Sequence, residues 1–425
     1  MTEKLEIKPL EQLDACVEAP PSKAHTLRAL FLAALAEGKS EIISPLIADD
    51  QMRAIEALRQ LGVWIEQCDK RIEINGTGGR LVLPNDSLYV GMSGVSMHFL
   101  LSLVSLAPQG TVRIDGAERM RTGRPVQNLL DSLNMLGVRA QSVFDNGCLP
   151  VDVRSGGMRG GRAVVRGATG SQYFSSILIS APYAKTDVIL ESEGDLVSKP
   201  YIDITIDCMA RFGVEAVNEA YRFFRVHAGQ RYRGIAYRVE GDFSNASYFL
   251  GAAAITGGRI RVQNLQQDSR QGDKIFIEIL KRMGCKVQWG KGFVEIKGGD
   301  LSGVEENVAN CPDLVPGLAV IASFARGTSV FRGVKGLRFK ECDRLAAVIT
   351  ELRKMGVDAI DGPDELRVVG TVHHHGAEIS TYNDHRMAMS FSMAGLRTPG
   401  VVILQPEVVS KSFPDFYELW DGLYD

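Results

Sequence analysis

The chain has 425 residues, 45% of them hydrophobic and 23% charged, with a formal net charge of −3. This globular composition allows two to four domains and excludes a disordered chain, a collagen, a coiled-coil rod and a strongly basic nucleic-acid or membrane-surface binder. Seven scattered cysteines without a CxxC, no leader-like N-terminus and no apolar run of ~18 residues predict a reduced cytoplasmic protein with no zinc cage and no transmembrane helix.

Read from the N-terminus, one pattern recurs: an apolar helix-like run, a short loop, then a β-rich run. It appears as LAALAEGKSEII, LVSLAPQGTVRI, ISAPYAKTDVIL, AAAITGGRIRV, ASFARGTSVF and MAGLRTPGVVIL. The aligned loop residues Gly38, Gly110, Thr186, Gly258, Gly327 and Gly400 are 69–76 residues apart. A second marker, a periodic helix closed by glycine, falls at Gly62, Gly137, Gly213, Gly284 and Gly356, 71–76 residues apart. Glycine just past a periodic helix is a C-cap signal. The sixth copy of this marker falls on FPDFYELWDGLYD, where the chain stops. EKLEIKP at the N-terminus is free to supply its missing strand, so the repeat closes on itself.

Each unit then holds two helices and about four strands. Six units are too many for one core, which predicts two lobes of three. Crossings placed at Ala236–Gly241 and Glu11–Pro20 give one lobe over residues 20–238 and another over 1–19 plus 239–425.

Sixteen residues before each aligned loop lie Ser22, Gly94, Gly170, Asp242, Cys311 and Asp384, in PPSKAHTLR, GMSGVS, GATGSQYF, EGDFSNASYF, NCPDLVPG and TYNDHRMAM. All six surroundings carry helix-start chemistry. A helix start offers unpaired N–H groups and partial positive charge, so it suits anions. Charged residues accompany these starts: Lys23, Arg28, Asp313, His385 and Arg386, with Arg124 in RTGRPV, RFKECDR, and Lys411 in SKSFPD. The tract His373–His375 reads as a solvated turn.

The stretches GDLVSKPYIDIT, VEGDFSNASYFLGAAAI, FKECDRLAA, TYNDHRMAM and SKSFPDFY resemble the 5-enolpyruvylshikimate-3-phosphate synthases of the enolpyruvyl transferase family. The resemblance spans essentially the whole chain. GAERMRTGRP lacks the reactive cysteine of the branch that acts on UDP-N-acetylglucosamine. The family fold is α/β, a two-lobed inside-out barrel of six βαβαββ units, three per lobe, with the active site in the cleft between them. The implied reaction moves the enolpyruvyl group of phosphoenolpyruvate to the 5-hydroxyl of shikimate 3-phosphate by addition and elimination, releasing phosphate. It belongs to the shikimate pathway, toward chorismate and the aromatic amino acids. It needs no metal and no organic cofactor, and family precedent is a monomer.

The resemblance places Lys23, Gly94, Arg124, Gln172, Arg344, Arg386 and Lys411 around the donor. Arginine suits such anions through bidentate hydrogen bonds. It places Lys23, Arg28, Ser171, Gln172, Ser198, Tyr201, Asp313 and Lys340 around the acceptor. Proton transfers fall to Asp313 and Glu341, with Lys23 and His385 assisting. The family pattern is broken at Ala24, Met92, Val95, His98, Gly170 and Gly336. Two other readings accompany these departures: a paralogue using another phosphorylated or carboxylated acceptor, and a non-catalytic anion-binding protein. Cations from both halves are expected to repel across an empty cleft until anions bind.

Overall fold

Five of the marker residues set the frame. Gly62, Gly137, Gly213, Gly284 and Gly356 all have φ between 80° and 114°, each just past a helix. That left-handed conformation is open to glycine and costly for other residues, so each glycine ends a helix and turns the chain into a strand. The computed structural model describes residues 3–424, leaving aside the side chain of Thr169.

The described residues form five four-stranded sheets and one three-stranded sheet. The sheet holding Leu88–Tyr89 shows the common order. That strand lies parallel to Gly110–Asp115, which pairs antiparallel with Val151–Ser155, which pairs antiparallel with Arg139–Ser142. With helix Gly94–Leu103 between the first two strands and helix Gln127–Met135 ahead of the last two, this is the βαβαββ unit. The last sheet is completed by the N-terminus, as the circular reading expects: Lys4–Glu6 pairs antiparallel with Val402–Leu404.

Two compact units result, Met1–Pro20 with Glu240–Asp425, and Pro21–Val239. Neither crossing is a bare linker. Asp14–Glu18 is a strand paired parallel with Arg259–Gln263, and Ala236–Arg238 is a strand paired parallel with Lys39–Ile43. Each crossing supplies the outer parallel strand that one sheet lacks.

Nine helices matter for the site. In the Pro21–Val239 unit they are α1 (Lys23–Leu35), α2 (Asp49–Gln60), α3 (Gly94–Leu103), α4 (Ser171–Ser180) and α5 (Lys199–Arg211). In the other unit they are α6 (Phe243–Thr256), α7 (Val315–Ser323), α8 (Arg344–Lys354) and α9 (His385–Gly395). Nearly every residue of α1, α3, α4, α6, α7 and α9 is buried. Helices apolar on all faces must sit inside, and these form the centre of each unit's core. Helices α2, α5 and α8 bury one face and expose the other. Among the described residues no helix is long and apolar enough to cross a membrane.

The count back from the loops lands on helix caps at Ser22, Gly170, Asp242 and Asp384. Cys311 caps a short 3-10 turn that leads into α7. At α3 the cap is Ser93, and Gly94 is the first helical residue.

Candidate active site

In the Pro21–Val239 unit, Lys23 opens α1 and its Nζ lies 2.6 Å from Oδ2 of buried Asp50, in the first turn of α2. Arg124 is buried, and its guanidinium lies against the start of α3. A Cβ on Gly94 would stand 2.2 Å from Arg124 Cζ. The Tyr173 hydroxyl of α4 donates to the Pro125 carbonyl at 2.8 Å, while its ring lies 5.0 Å from that of His98 on α3. Helices α3 and α4 thereby hold the Arg124 loop.

Arg28 is buried deeper, with every nitrogen on a neutral acceptor. Nε donates to Thr205 Oγ1 at 2.7 Å, Nη1 to the Ala24 carbonyl at 2.9 Å and Nη2 to the Tyr201 carbonyl at 2.9 Å. Burial lowers its pKa from the ordinary value. Ser171 is buried at the first position of α4 and Gln172, half-buried, follows it. Ser198 caps α5 with φ at 57°, a left-handed serine of the kind that costs about 1–3 kcal/mol and clusters at functional sites. Tyr201 follows in the first turn of α5.

In the other unit the predicted residues form one network. Arg344 Nη1 donates to Asp313 Oδ1 at 2.8 Å, Nη2 to Glu341 Oε2 at 2.6 Å, and Nε to Asp384 Oδ2 at 2.6 Å. Arg386 Nη2 donates to Asp313 Oδ2 at 2.9 Å and Nη1 to the Tyr248 hydroxyl of α6 at 3.2 Å. Lys411 Nζ lies 2.9 Å from Glu341 Oε1, and Lys340 Nζ lies 3.6 Å from Asp313 Oδ1. His385, buried at the first position of α9, has Nδ1 3.5 Å from Asp384 Oδ1. The starts of α7, α8 and α9 therefore meet at Asp313.

The cluster holds four cations, Lys340, Arg344, Arg386 and Lys411, against three carboxylates, Asp313, Glu341 and Asp384. Within this unit each of the four cations faces a carboxylate. Exposure grades the network. The side chains of Arg344 and Asp384 are 1% and 0% exposed, while Asp313 and Lys340 reach 18% and 23%. The buried pair forms the base, and Asp313 with Lys340 forms the accessible rim.

Burial alone would raise the Asp313 pKa, but Arg386, Lys340 and Arg344 outweigh it and hold the carboxyl well below the usual range. Burial alone would likewise lower the Arg344 pKa, and Asp384, Glu341 and Asp313 more than reverse this.

Asp273 is buried nearby, and its Oδ2 accepts from the Ser244 hydroxyl. Burial, with the charge of Asp313, pushes its carboxyl up to about 7. The unfolded chain then releases this proton near pH 4 and the folded chain near pH 7, so stability falls as pH rises across that window. The full effect is on the order of 4 kcal/mol. Asp273→Asn keeps an acceptor for Ser244 and removes the titration. Its urea midpoint should gain on the native protein progressively from pH 5 to pH 8, and a pH-independent difference would contradict this.

Three partners escaped the sequence reading. Asp50 and Tyr248 lie in helices and carry no spacing signal. Asp384 was legible as a cap, and it does cap α9 through the Arg386 amide at 3.0 Å, but its second role as counter-charge to Arg344 was not. The departures are mostly absorbed by packing: Ala24, Met92 and Val95 lie against the apolar core of their unit. Gly170 has φ 119° and ψ 160°, a conformation nearly restricted to glycine. A Cβ on Gly336 would meet nothing within 4 Å. The histidine tract is not wholly solvated. His374 stacks on Phe324 with centroids 4.0 Å apart, its Nε2 is 3.1 Å from Ser323 Oγ, and burial lowers its pKa to about 4. Among the described residues no group of His, Cys, Asp and Glu is placed to hold a metal ion.

Residues 7–420 match the family model described as EPSP synthase (3-phosphoshikimate 1-carboxyvinyltransferase). A curated relative of that activity name from Methanothermobacter thermautotrophicus is 45% identical over 96% of this chain and 95% of its own. Another, from Yersinia pseudotuberculosis, is 41% identical over 98% of both chains. A solved structure of EPSP synthase from Acinetobacter baumannii superposes with a TM-score of 0.83 at 28% identity, covering 99% of this chain and 98% of that one. With its six repeats and a family match over nearly its whole length, the chain belongs to the EPSP synthase (3-phosphoshikimate 1-carboxyvinyltransferase) family.

Proposed function

We propose that the chain is a 3-phosphoshikimate 1-carboxyvinyltransferase, moving the enolpyruvyl group of phosphoenolpyruvate to the 5-hydroxyl of shikimate 3-phosphate and releasing phosphate. The observation that carries the reading is the network around Asp313: an ionised, accessible carboxylate among cations that suit a phosphate and a carboxylate. The paralogue and non-catalytic readings lose ground, because relatives over almost the full chain carry this one activity name.

In this reading Lys23, Arg124, Arg344, Arg386 and Lys411 neutralise the donor, with the α3 start at Gly94 and with Gln172. Arg28, Ser171, Ser198, Tyr201 and Lys340 hold the acceptor. Asp313 takes the proton of the attacking hydroxyl as the new C–O bond forms, because it is held ionised and lies at the rim. Glu341, between Arg344 and Lys411, serves the methylene carbon, which gains a proton on addition and loses it when phosphate leaves. His385 and Lys23 assist. Residues of both units act on the same substrate pair, residues 20–238 as one lobe and 1–19 plus 239–425 as the other. Family precedent makes the enzyme a cytoplasmic monomer.

Gly94→Ala tests the donor half of this reading. The added Cβ cannot coexist with Arg124 Cζ at 2.2 Å, so the guanidinium must move. The KM for phosphoenolpyruvate should rise about 10- to 100-fold, the loss of one charge-assisted hydrogen bond, with the KM for shikimate 3-phosphate little changed. An unchanged donor KM would remove Arg124 from the donor site.

A further inference from the structure

Helix α8 does more than present Arg344. Seven residues on, Glu351 is fully buried. Its Oε2 accepts from the Ser380 amide at 3.1 Å and its Oε1 from the Tyr382 hydroxyl at 2.6 Å. Lys354 pairs with Glu351 Oε2 at 2.7 Å and donates to the Glu378 carbonyl at 3.2 Å. With 3.6 residues per turn, residues 344, 351 and 354 lie on one face of the helix. The contacts run in opposite directions along two segments: 354 meets 378, 351 meets 380 and 382, and 344 meets 384.

A strained turn lies between the last two grips. Tyr382 and Asn383 have φ of 53° and 54°. Asparagine tolerates the left-handed region, but a bulky tyrosine resists it. Such a pair persists only where the surroundings hold it. The turn is followed at once by Asp384, whose amide donates to the Thr381 carbonyl at 2.9 Å, and then by His385 and Arg386. The direction in which the turn releases the chain fixes where Asp384 and Arg386 point.

We propose that Glu351 is a positioning residue for enolpyruvyl transfer. Through Ser380 and Tyr382 it holds the left-handed turn that aims Asp384 at Arg344 and Arg386 at Asp313. The proposal rests on the reading of Arg344 and Arg386 as donor ligands. A buried carboxylate serving stability alone needs only a counter-charge, which Lys354 supplies. The two further bonds both go to the turn ahead of α9.

The test compares Tyr382→Phe, Glu351→Gln and their double variant with Arg386→Lys, by steady-state kinetics and thermal melting. Tyr382 is 40% exposed, so its phenylalanine variant folds even where Glu351→Gln does not. Tyr382→Phe and Glu351→Gln should each raise the KM for phosphoenolpyruvate about fivefold or more, and leave the KM for shikimate 3-phosphate within about twofold. The double variant should show less than the product of the two effects, because both cut the same link. Arg386→Lys should raise the donor KM as well. If Arg386→Lys does so while the other variants melt earlier with native kinetics, Glu351 is structural only and the proposal is overturned. If Arg386→Lys leaves the donor KM unchanged, the donor-site reading falls and takes the proposal with it.

Discussion

Arg344→Met should lose about 3–5 kcal/mol of stability and essentially all turnover. The side chain is 1% exposed and its guanidinium bonds to three carboxylates on three segments, Asp313, Glu341 and Asp384. Methionine fills much of the volume but leaves those charges buried against one another. Repulsion and desolvation then oppose folding, and Asp313 loses the partner that fixes its direction. Arg28 supplies the contrast. It is equally buried, but its nitrogens bond only neutral oxygens of Thr205, Ala24 and Tyr201. Arg28→Met strands no counter-charge and removes a buried one, so its stability cost should be much smaller, with the damage appearing as a raised KM for the acceptor. Urea unfolding of the two variants side by side checks this. Equal losses would show that the Arg344 network is not held by charge.

Asp313→Asn should fold and should lose about 10²–10⁴-fold in kcat, the range typical of removing a general base. The variant also predicts a pH signature. The folded pKa of Asp313 is depressed, so its contribution to stability is present above the unfolded value near 3.9 and is lost as pH falls through the folded value. Native protein should therefore hold a stability advantage over Asp313→Asn at pH 7 that shrinks below about pH 4. The advantage reflects three cations, Lys340, Arg344 and Arg386, deprived of a shared carboxylate. A constant gap between the two proteins from pH 7 to pH 3 would show that the carboxylate is not held ionised by them.

Much of this architecture was legible because a short rule repeats. A helix followed by a left-handed glycine leaves the same mark each time, and all five marker glycines have the expected φ. Counting back one helix length from the loops then finds the helix starts. It erred at α3, where Ser93 and Gly94 in GMSG are both acceptable openers and only the backbone separates them. The strand character of the two crossings was not legible, because Asp14–Glu18 and Ala236–Arg238 are short and pair with partners more than 190 residues away in sequence, in Arg259–Gln263 and Lys39–Ile43. The site divides the same way. The residue types that bind anions were readable, since most stand at helix starts or in conspicuous charged loops. Their pairing was not. Nothing in sequence joins Lys23 to Asp50 or Arg344 to Asp384, because each pair forms only when separate segments pack. His374 shows the converse error: a polar tract read as solvated, with one ring turned onto Phe324.

Whether Asp313 and its cations carry enolpyruvyl transfer to shikimate 3-phosphate is decided by following inorganic phosphate release from phosphoenolpyruvate, with native protein and Asp313→Asn in parallel. Release should require shikimate 3-phosphate and should be at least about 100-fold slower in the variant. Well-folded native protein that releases no phosphate, or a variant that matches it, would overturn the role proposed for Asp313.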